Sequence, residues 1–238
     1  MIRARVTGVH RLLLLLLGAP GTGKGTFGRH LASEYGLVHI AIGDLLRKQI
    51  RLRSVLGSSI QRAVSNGFHV DDDIVCDLVR IELFSQSKGA ILDGIPRTPV
   101  QAEFLKNIAK SSGSRLLGVY LSMDRGILIK RLLGRRHCEM CNRNYNTCSI
   151  DSNGYYMDAV LPCEDDLLKC PGCHHLKRRA DDTADVIQRR LLDYDNMREN
   201  IMTALKEVPI MSFEIRRGLK DYGALKCELD AFMKNAYS

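Results

Sequence analysis

Leu12-Leu13-Leu14-Leu15-Leu16-Leu17-Gly18-Ala19-Pro20-Gly21-Thr22-Gly23-Lys24-Gly25-Thr26 joins a run of six leucines to a glycine-rich turn. An unbroken apolar run of that length, closed by turn residues, predicts a strand buried on both faces of a parallel sheet. Residues 25–35 follow with Phe27, Leu31 and Tyr35 spaced four apart on one helical face, and Gly36 supplies the stop. A glycine-rich loop between a strand and a helix turns consecutive backbone N–H groups inward, at the positive end of the helix. That is a cradle for phosphate oxygens, formed by Gly21, Thr22, Gly23, Lys24, Gly25 and Thr26, and Lys24 adds a mobile charge that reaches the outer phosphates. Gly25 stands where the general pattern has the Ser or Thr that binds Mg²⁺.

Outward from this unit, short apolar runs at 37–40, 90–92, 116–121 and 209–213 alternate with helical patterns at 44–50, 74–84, 99–110, 126–133 and 185–205. Five strands with intervening helices predict an α/β fold with a doubly wound, five-stranded parallel sheet. Two stretches break the rhythm and read as inserted lobes. Residues 42–70 are helical, polar and punctuated by glycine, and residues 135–179 are rich in Cys, Asn, Asp, Gly and His. The expected core is therefore 12–41, 71–134 and 180–238, preceded by an N-terminal extension over 1–11.

Charge and composition narrow the partners. Lys and Arg number 35 against 27 Asp and Glu, a net charge of +8 that favours an anionic ligand, while 45% hydrophobic content excludes wholesale disorder. The longest apolar run is far short of a membrane span. Arg3, Arg5 and Arg11 before the leucines imitate a secretory signal, but the apolar stretch is short and has a better use as a strand. The expected compartment is cytoplasmic; because the first acidic residue is Glu34, a mitochondrial location stays open as the alternative. Eight cysteines in such a chain point to metal or reduced thiols, with Cys76 and Cys227, in helical patterns, expected as buried apolar thiols.

Cys138-Glu-Met-Cys141 and Cys170-Pro-Gly-Cys173 are two C-x-x-C pairs with 28 residues between them. Four thiolates in two tight turns can close a tetrahedral, structural Zn²⁺ site that staples a segment too polar to build its own core. Asn142 and Gly172 tolerate the positive φ such turns use. Cys148, Cys163, His137, His174 or His175 could replace one ligand. Two rivals are a dithiol redox motif at Cys170–Cys173 and a zinc module contacting nucleic acid through Lys177, Arg178 and Arg179.

With Gly43-Asp-Leu-Leu-Arg47 and Asp93-Gly-Ile-Pro-Arg-Thr98 following the loop in order, the chain resembles the nucleoside monophosphate kinases. The cysteine-bearing insert narrows the resemblance to adenylate kinases of the long form with a zinc-binding lid, a family with a P-loop NTPase-type core. A glycine after the loop lysine is that family's habit. The resemblance implies that residues 21–26, Arg131, Arg135, Tyr145 and, weakly, Lys220 hold ATP. It places Ile42, Arg47, Val70, Gly94, Arg97, Gln101, Arg179 and Arg190 at AMP, with Asp93 near the Mg²⁺ water shell. Residues 42–70 become the acceptor-binding lobe and 135–179 the lid, with Gly134 and Ala180 as hinge candidates. Lys24, Arg97, Arg135, Arg179 and Arg190 form the expected catalytic set. Phosphoryl transfer has a loose transition state, so positioning and charge neutralisation are the protein's work, and arginine's planar fork suits phosphate.

The implied activity is reversible phosphoryl transfer from Mg²⁺-ATP to AMP by a monomer, without a nucleic-acid or membrane partner. GTP as donor and UMP or CMP as acceptor are the close alternatives, and a non-catalytic nucleotide-binding or zinc-dependent nucleic-acid-binding protein is the distant one. Ile42 bears on acceptor choice: the resembling kinases usually carry Thr or Ser there, and pyrimidine-directed ones a small apolar residue. Gln101, whose amide can pair with both a ring nitrogen and the exocyclic amine of adenine, still favours AMP.

Overall fold

A computed structural model describes residues 11–53 and 55–236. Most of the expected N-terminal extension, residues 1–10, lies outside the described residues. Arg11 does not behave as an extension: its guanidinium donates to the carbonyls of Gln86 and Lys88, tying the start of the first strand to the loop at 85–88.

The central strand β1 (Leu12–Leu17) is flanked by β3 (Ala90–Asp93) and β4 (Arg115–Ser122), with β2 (Val38–Ala41) and β9 (Ile210–Glu214) at the edges. The order is β2-β3-β1-β4-β9 and every pairing is parallel, for example Leu14 opposite Ile91 and Leu117. The six leucines divide by parity, as alternation in a strand requires. Leu13, Leu15 and Leu17 enter a core with Val79, Leu92 and Leu105. Leu14 and Leu16 enter the opposite one with Phe27, Leu31, Leu225 and Leu229. Helices on both faces cover the sheet, so the α/β doubly wound expectation holds.

Helix α1 (Lys24–Tyr35) leaves the loop through Gly23, whose φ of 94° lies in the left-handed region that favours glycine. The first insert is the helix pair α2 (Ile42–Arg51) and α3 (Val55–Ser65), followed by α4 (Asp72–Phe84). Beyond it come α5 (Pro99–Ser112), with Thr98 as N-cap, and α6 (Arg125–Leu133), capped by Asp124. The second insert holds two small antiparallel pairs, β5 (Arg135–His137) with β6 (Asn144–Asn146) and β7 (Ile150–Ser152) with β8 (Tyr155–Met157), then a short helix α7 (Glu164–Lys169). The long helix α8 (Ala184–Ala204) returns the chain to the core.

Two expectations need correction. The chain ends in a helix beyond those expected, α9 (Tyr222–Asn235), which buries Leu225 and Leu229 on the sheet. Those two positions, four apart, define its inner face, and Cys227 falls between them on the outer side. Cys227 is therefore exposed, whereas Cys76 on α4 is buried as expected. Among the described residues no helix is long and apolar enough to cross a membrane.

Candidate active site

One cleft of about 280 Å³ opens beyond the C-terminal ends of the strands, between the loop and both inserts. Its lining brings together Gly21, Gly23, Lys24, Gly25 and Thr26 from the loop and α1; Ile42, Arg47 and Val70 from the first insert; and Asp93, Gly94, Arg97 and Gln101 after β3. Arg131, Arg135, Tyr145, Arg179 and Arg190 complete it from the other side. Two expected residues stand apart. Thr22 is fully buried with its hydroxyl donating to the Ala19 carbonyl, so it contributes backbone rather than side chain. Lys220 is absent from the cleft wall and forms an exposed ion pair with Asp158, 2.7 Å away.

Lys24 Nζ donates to the Gly18 and Ala19 carbonyls at 2.7 and 2.8 Å, folded back on its own loop. Burial pushes its pKa down to about 8; Asp93 opposes the fall, and the nearby Arg97, Arg190 and Arg135 add to it. A Cβ at position 25 would lie 3.1 Å from Asp93 Oδ2, so glycine there leaves the carboxylate its place beside the loop. Burial alone would raise the Asp93 carboxyl, but His39 and the charges of Lys24 and Arg97 outweigh it and hold it below its ordinary value.

The arginines are mostly held by carboxylates that the sequence reading overlooked. Arg135 grips Asp182, which is fully buried, through Nε and Nη2. Arg190 donates to Asp181 at 2.7 Å, Arg47 pairs with Asp44, and Arg97 Nε donates to the Gly94 carbonyl at 2.9 Å. Burial, with Arg135 and Arg47 nearby, pulls Arg179 down to about 9; burial and Arg135 pull Arg190 to about 10. Arg179 bonds Asn144 through Nη2, while its buried Nε–H has no partner among the described residues. A buried donor without an acceptor is costly unless a ligand supplies one. The pair Asp181-Asp182, directly after Arg178-Arg179-Ala180, was the visible signal for this network.

The first insert touches both the second insert and the core helix α8. Arg51 on α2 donates to Asn142 Oδ1 at 3.0 Å, and Arg189 on α8 reaches the Asn66 carbonyl and lies over the Phe68 ring.

In the second insert the Sγ atoms of Cys138, Cys141, Cys170 and Cys173 all lie within 4.8 Å of one another, two of the separations being 3.6 Å. Ligands about 2.3 Å from a tetrahedral zinc are about 3.8 Å apart, so this donor set fits the ion. Cys148 and Cys163 stay outside the cluster, Cys163 being exposed at the start of α7. Asn142 takes the expected positive φ, 57°. Gly172 does not; a Cβ there would press on Cys138 Sγ at 3.0 Å and push aside the exposed Met140 side chain. Tyr145, expected at a base, is buried against this cluster with its hydroxyl 3.3 Å from Cys173 Sγ, although it also lines the cleft.

A sequence model of adenylate kinase matches residues 16–208. The chain belongs to the adenylate kinase family. Membership makes it a nucleoside monophosphate kinase, an enzyme that moves a phosphoryl group between nucleotides, and the cysteine cluster fits the zinc-binding lid of the family's long form. It is 36% identical to a GTP:AMP phosphotransferase of Plasmodium falciparum (isolate 3D7), covering 93% of this chain and 97% of that one. It is 34% identical to an adenylate kinase of Chlamydia pneumoniae, covering 90% and 96%. A probable chloroplastic adenylate kinase 6 of Arabidopsis thaliana is also 34% identical, covering 87% of this chain and 70% of the plant protein.

Proposed function

We propose that the protein transfers the terminal phosphoryl group of ATP to AMP reversibly, giving two ADP. The observation that supports this most is the convergence of Lys24, Arg97, Arg135, Arg179 and Arg190 on one cleft beside a phosphate-cradling loop, with the Arg179 Nε–H lacking an acceptor among the described residues. Residues 21–26 would cradle the donor phosphates, with Arg131, Arg135 and Tyr145 on the donor side. Arg47 and Arg97 would hold the acceptor phosphate, and Ile42, Val70, Gly94 and Gln101 would surround its nucleoside. Arg179 and Arg190 would close on the group in flight. Mg²⁺, arriving with the triphosphate, neutralises phosphate charge, and Asp93 would hold its water shell. Cys138, Cys141, Cys170 and Cys173 would hold a structural Zn²⁺. The enzyme would work as a cytoplasmic monomer that needs no nucleic acid.

Donor choice has a second reading, because one relative covering nearly the whole chain is named a GTP:AMP phosphotransferase. Coupled assays of purified protein with ATP or GTP, each against AMP, CMP, UMP and GMP, test both substrates. AMP should be the best acceptor. A preference for a pyrimidine would overturn the acceptor assignment. Ile42 is buried among Leu46, Ile60 and Val75 and offers the cleft no hydroxyl. One neutral hydrogen bond is worth ~0.5–1.5 kcal/mol. Ile42→Thr should therefore tighten AMP several-fold while leaving the ATP KM unchanged, as steady-state kinetics would show.

Residues 42–70 and 135–179 would act as acceptor lobe and lid, turning about Gly134 and Ala180 to exclude water during transfer. A dinucleotide spanning both subsites should bind more tightly than either nucleotide and protect 135–179 from limited proteolysis. Unchanged cleavage at saturation would count against closure.

A further inference from the structure

Gln101 is 2% exposed and both ends of its amide are already engaged. Its Oε1 accepts from the backbone N–H of Arg97 at 2.8 Å, and its Nε2 donates to Asp72 Oδ1 at 2.7 Å. The second oxygen of Asp72 accepts from the Thr98 hydroxyl at 2.8 Å, and Thr98 Oγ in turn accepts from the Gln101 backbone N–H at 3.2 Å. Asp72, in the first turn of α4, thus reaches the first turn of α5 with both carboxylate oxygens.

The two ends of an amide have nearly the same shape and opposite hydrogen-bonding sense. An ionised carboxylate only accepts and a backbone N–H only donates, so these neighbours permit one orientation of the Gln101 amide. Turned over, it would set oxygen against oxygen at Asp72 and hydrogen against hydrogen at Arg97, and the buried Gln101 side chain could not swing out to water to escape them. One lone pair of Oε1 and one hydrogen of Nε2 remain, side by side in a fixed order, and Gln101 lines the cleft.

We infer that Asp72 is a positioning residue for acceptor choice: by locking the Gln101 amide it selects bases with an amino group beside an unprotonated ring nitrogen over bases with a carbonyl beside a ring N–H. This rests on AMP being the acceptor. With the acceptor phosphate anchored elsewhere in the cleft, the base cannot turn over to suit the amide, and a 6-oxo purine meets two like-against-like contacts. Sites built around such paired hydrogen bonds reject the mismatched analogue strongly.

The test compares AMP with IMP, which differ in this edge, using the unaltered protein, Asp72→Ala and Asp72→Asn. The unaltered enzyme should favour AMP by at least ~10² in kcat/KM. Asp72→Ala should narrow that ratio at least ~5-fold, since the Arg97 N–H alone still biases the amide, and the change should lie in acceptor KM with ATP KM unmoved. Asp72→Asn keeps the shape but can present either sense, so it should narrow the ratio in the same direction; it decides the matter if the alanine variant does not fold. An unaltered enzyme that uses AMP and IMP alike, or variants that lose both in equal proportion, would overturn the lock. Failure of the unaltered protein to use AMP at all would instead overturn the acceptor assignment on which the lock rests.

Discussion

Lys24→Met is expected to lower kcat by at least ~10²-fold in a protein that still folds. The lysine is the cation nearest the loop's own backbone, where Nζ is held by the Gly18 and Ala19 carbonyls. Under the proposed function, phosphate oxygens with their full charge would draw it from those carbonyls, and it would then follow charge that builds as the bond to the leaving nucleotide breaks. Methionine keeps the length and apolar stem and removes the charge. Rapid-quench measurement of the chemical step separates this from weaker binding, and near-normal turnover would exclude Lys24 from the chemistry. The variant also carries a signature in the absence of nucleotide. Lys24 has a folded pKa of about 8 against 10.5 for the free side chain. Between those values the unfolded chain keeps a proton that the folded protein has lost, so this group makes stability rise with pH across the window. Denaturation of both proteins from pH 7 to 10.5 should show that increment in the unaltered protein and its absence in Lys24→Met.

Replacing Cys138 and Cys141 with serine should cost the chain its metal, roughly 5–10 °C in Tm, and most of its activity. Around the thiols the second insert has only Tyr145, Val160, Leu167 and Leu176 as apolar packing, since its other buried apolar residues, Ile150, Tyr155 and Met157, join the core against the sheet. In the variant the two remaining thiols, Cys170 and Cys173, would face two serine hydroxyls with no ion to hold them together. The activity loss follows from placement: Arg135 opens β5, Arg179 is tied to Asn144 on β6, and the turn at 138–141 joins those two strands. Loosening the turn frees two arginines from the cleft. Metal analysis of the unaltered protein should find about one zinc per chain. A double variant with unchanged Tm and full turnover would show the cluster to be dispensable.

What could be read from the chain follows from how local each feature is. The leucine strand and its glycine loop are contiguous, so composition alone announces them, and two C-x-x-C pairs advertise their chemistry by spacing. The Asp72–Gln101 contact joins first turns of two helices 29 residues apart, which no periodicity contains. Asp182 stands in a charged run, where a surface position is the ordinary expectation; it is buried because Arg135, 47 residues earlier, comes back to meet it. Helix α9, by contrast, is local and periodic: Tyr222, Leu225, Leu229, Phe232 and Met233 recur at helical spacing, and Gly223 in its first turn is the one feature that weakens the pattern.

The pairing of Arg135 with Asp182, Arg190 with Asp181 and Arg47 with Asp44 gives the cleft its own internal counter-ions. A lone orthophosphate gains little by breaking one such pair, since it exchanges one anion for another and loses its hydration. A nucleotide that engages several arginines at once has each further exchange made intramolecular by the first, so its advantage multiplies. The cleft therefore discriminates by valency before it discriminates by base, and inorganic phosphate should be a poor inhibitor despite the density of positive charge.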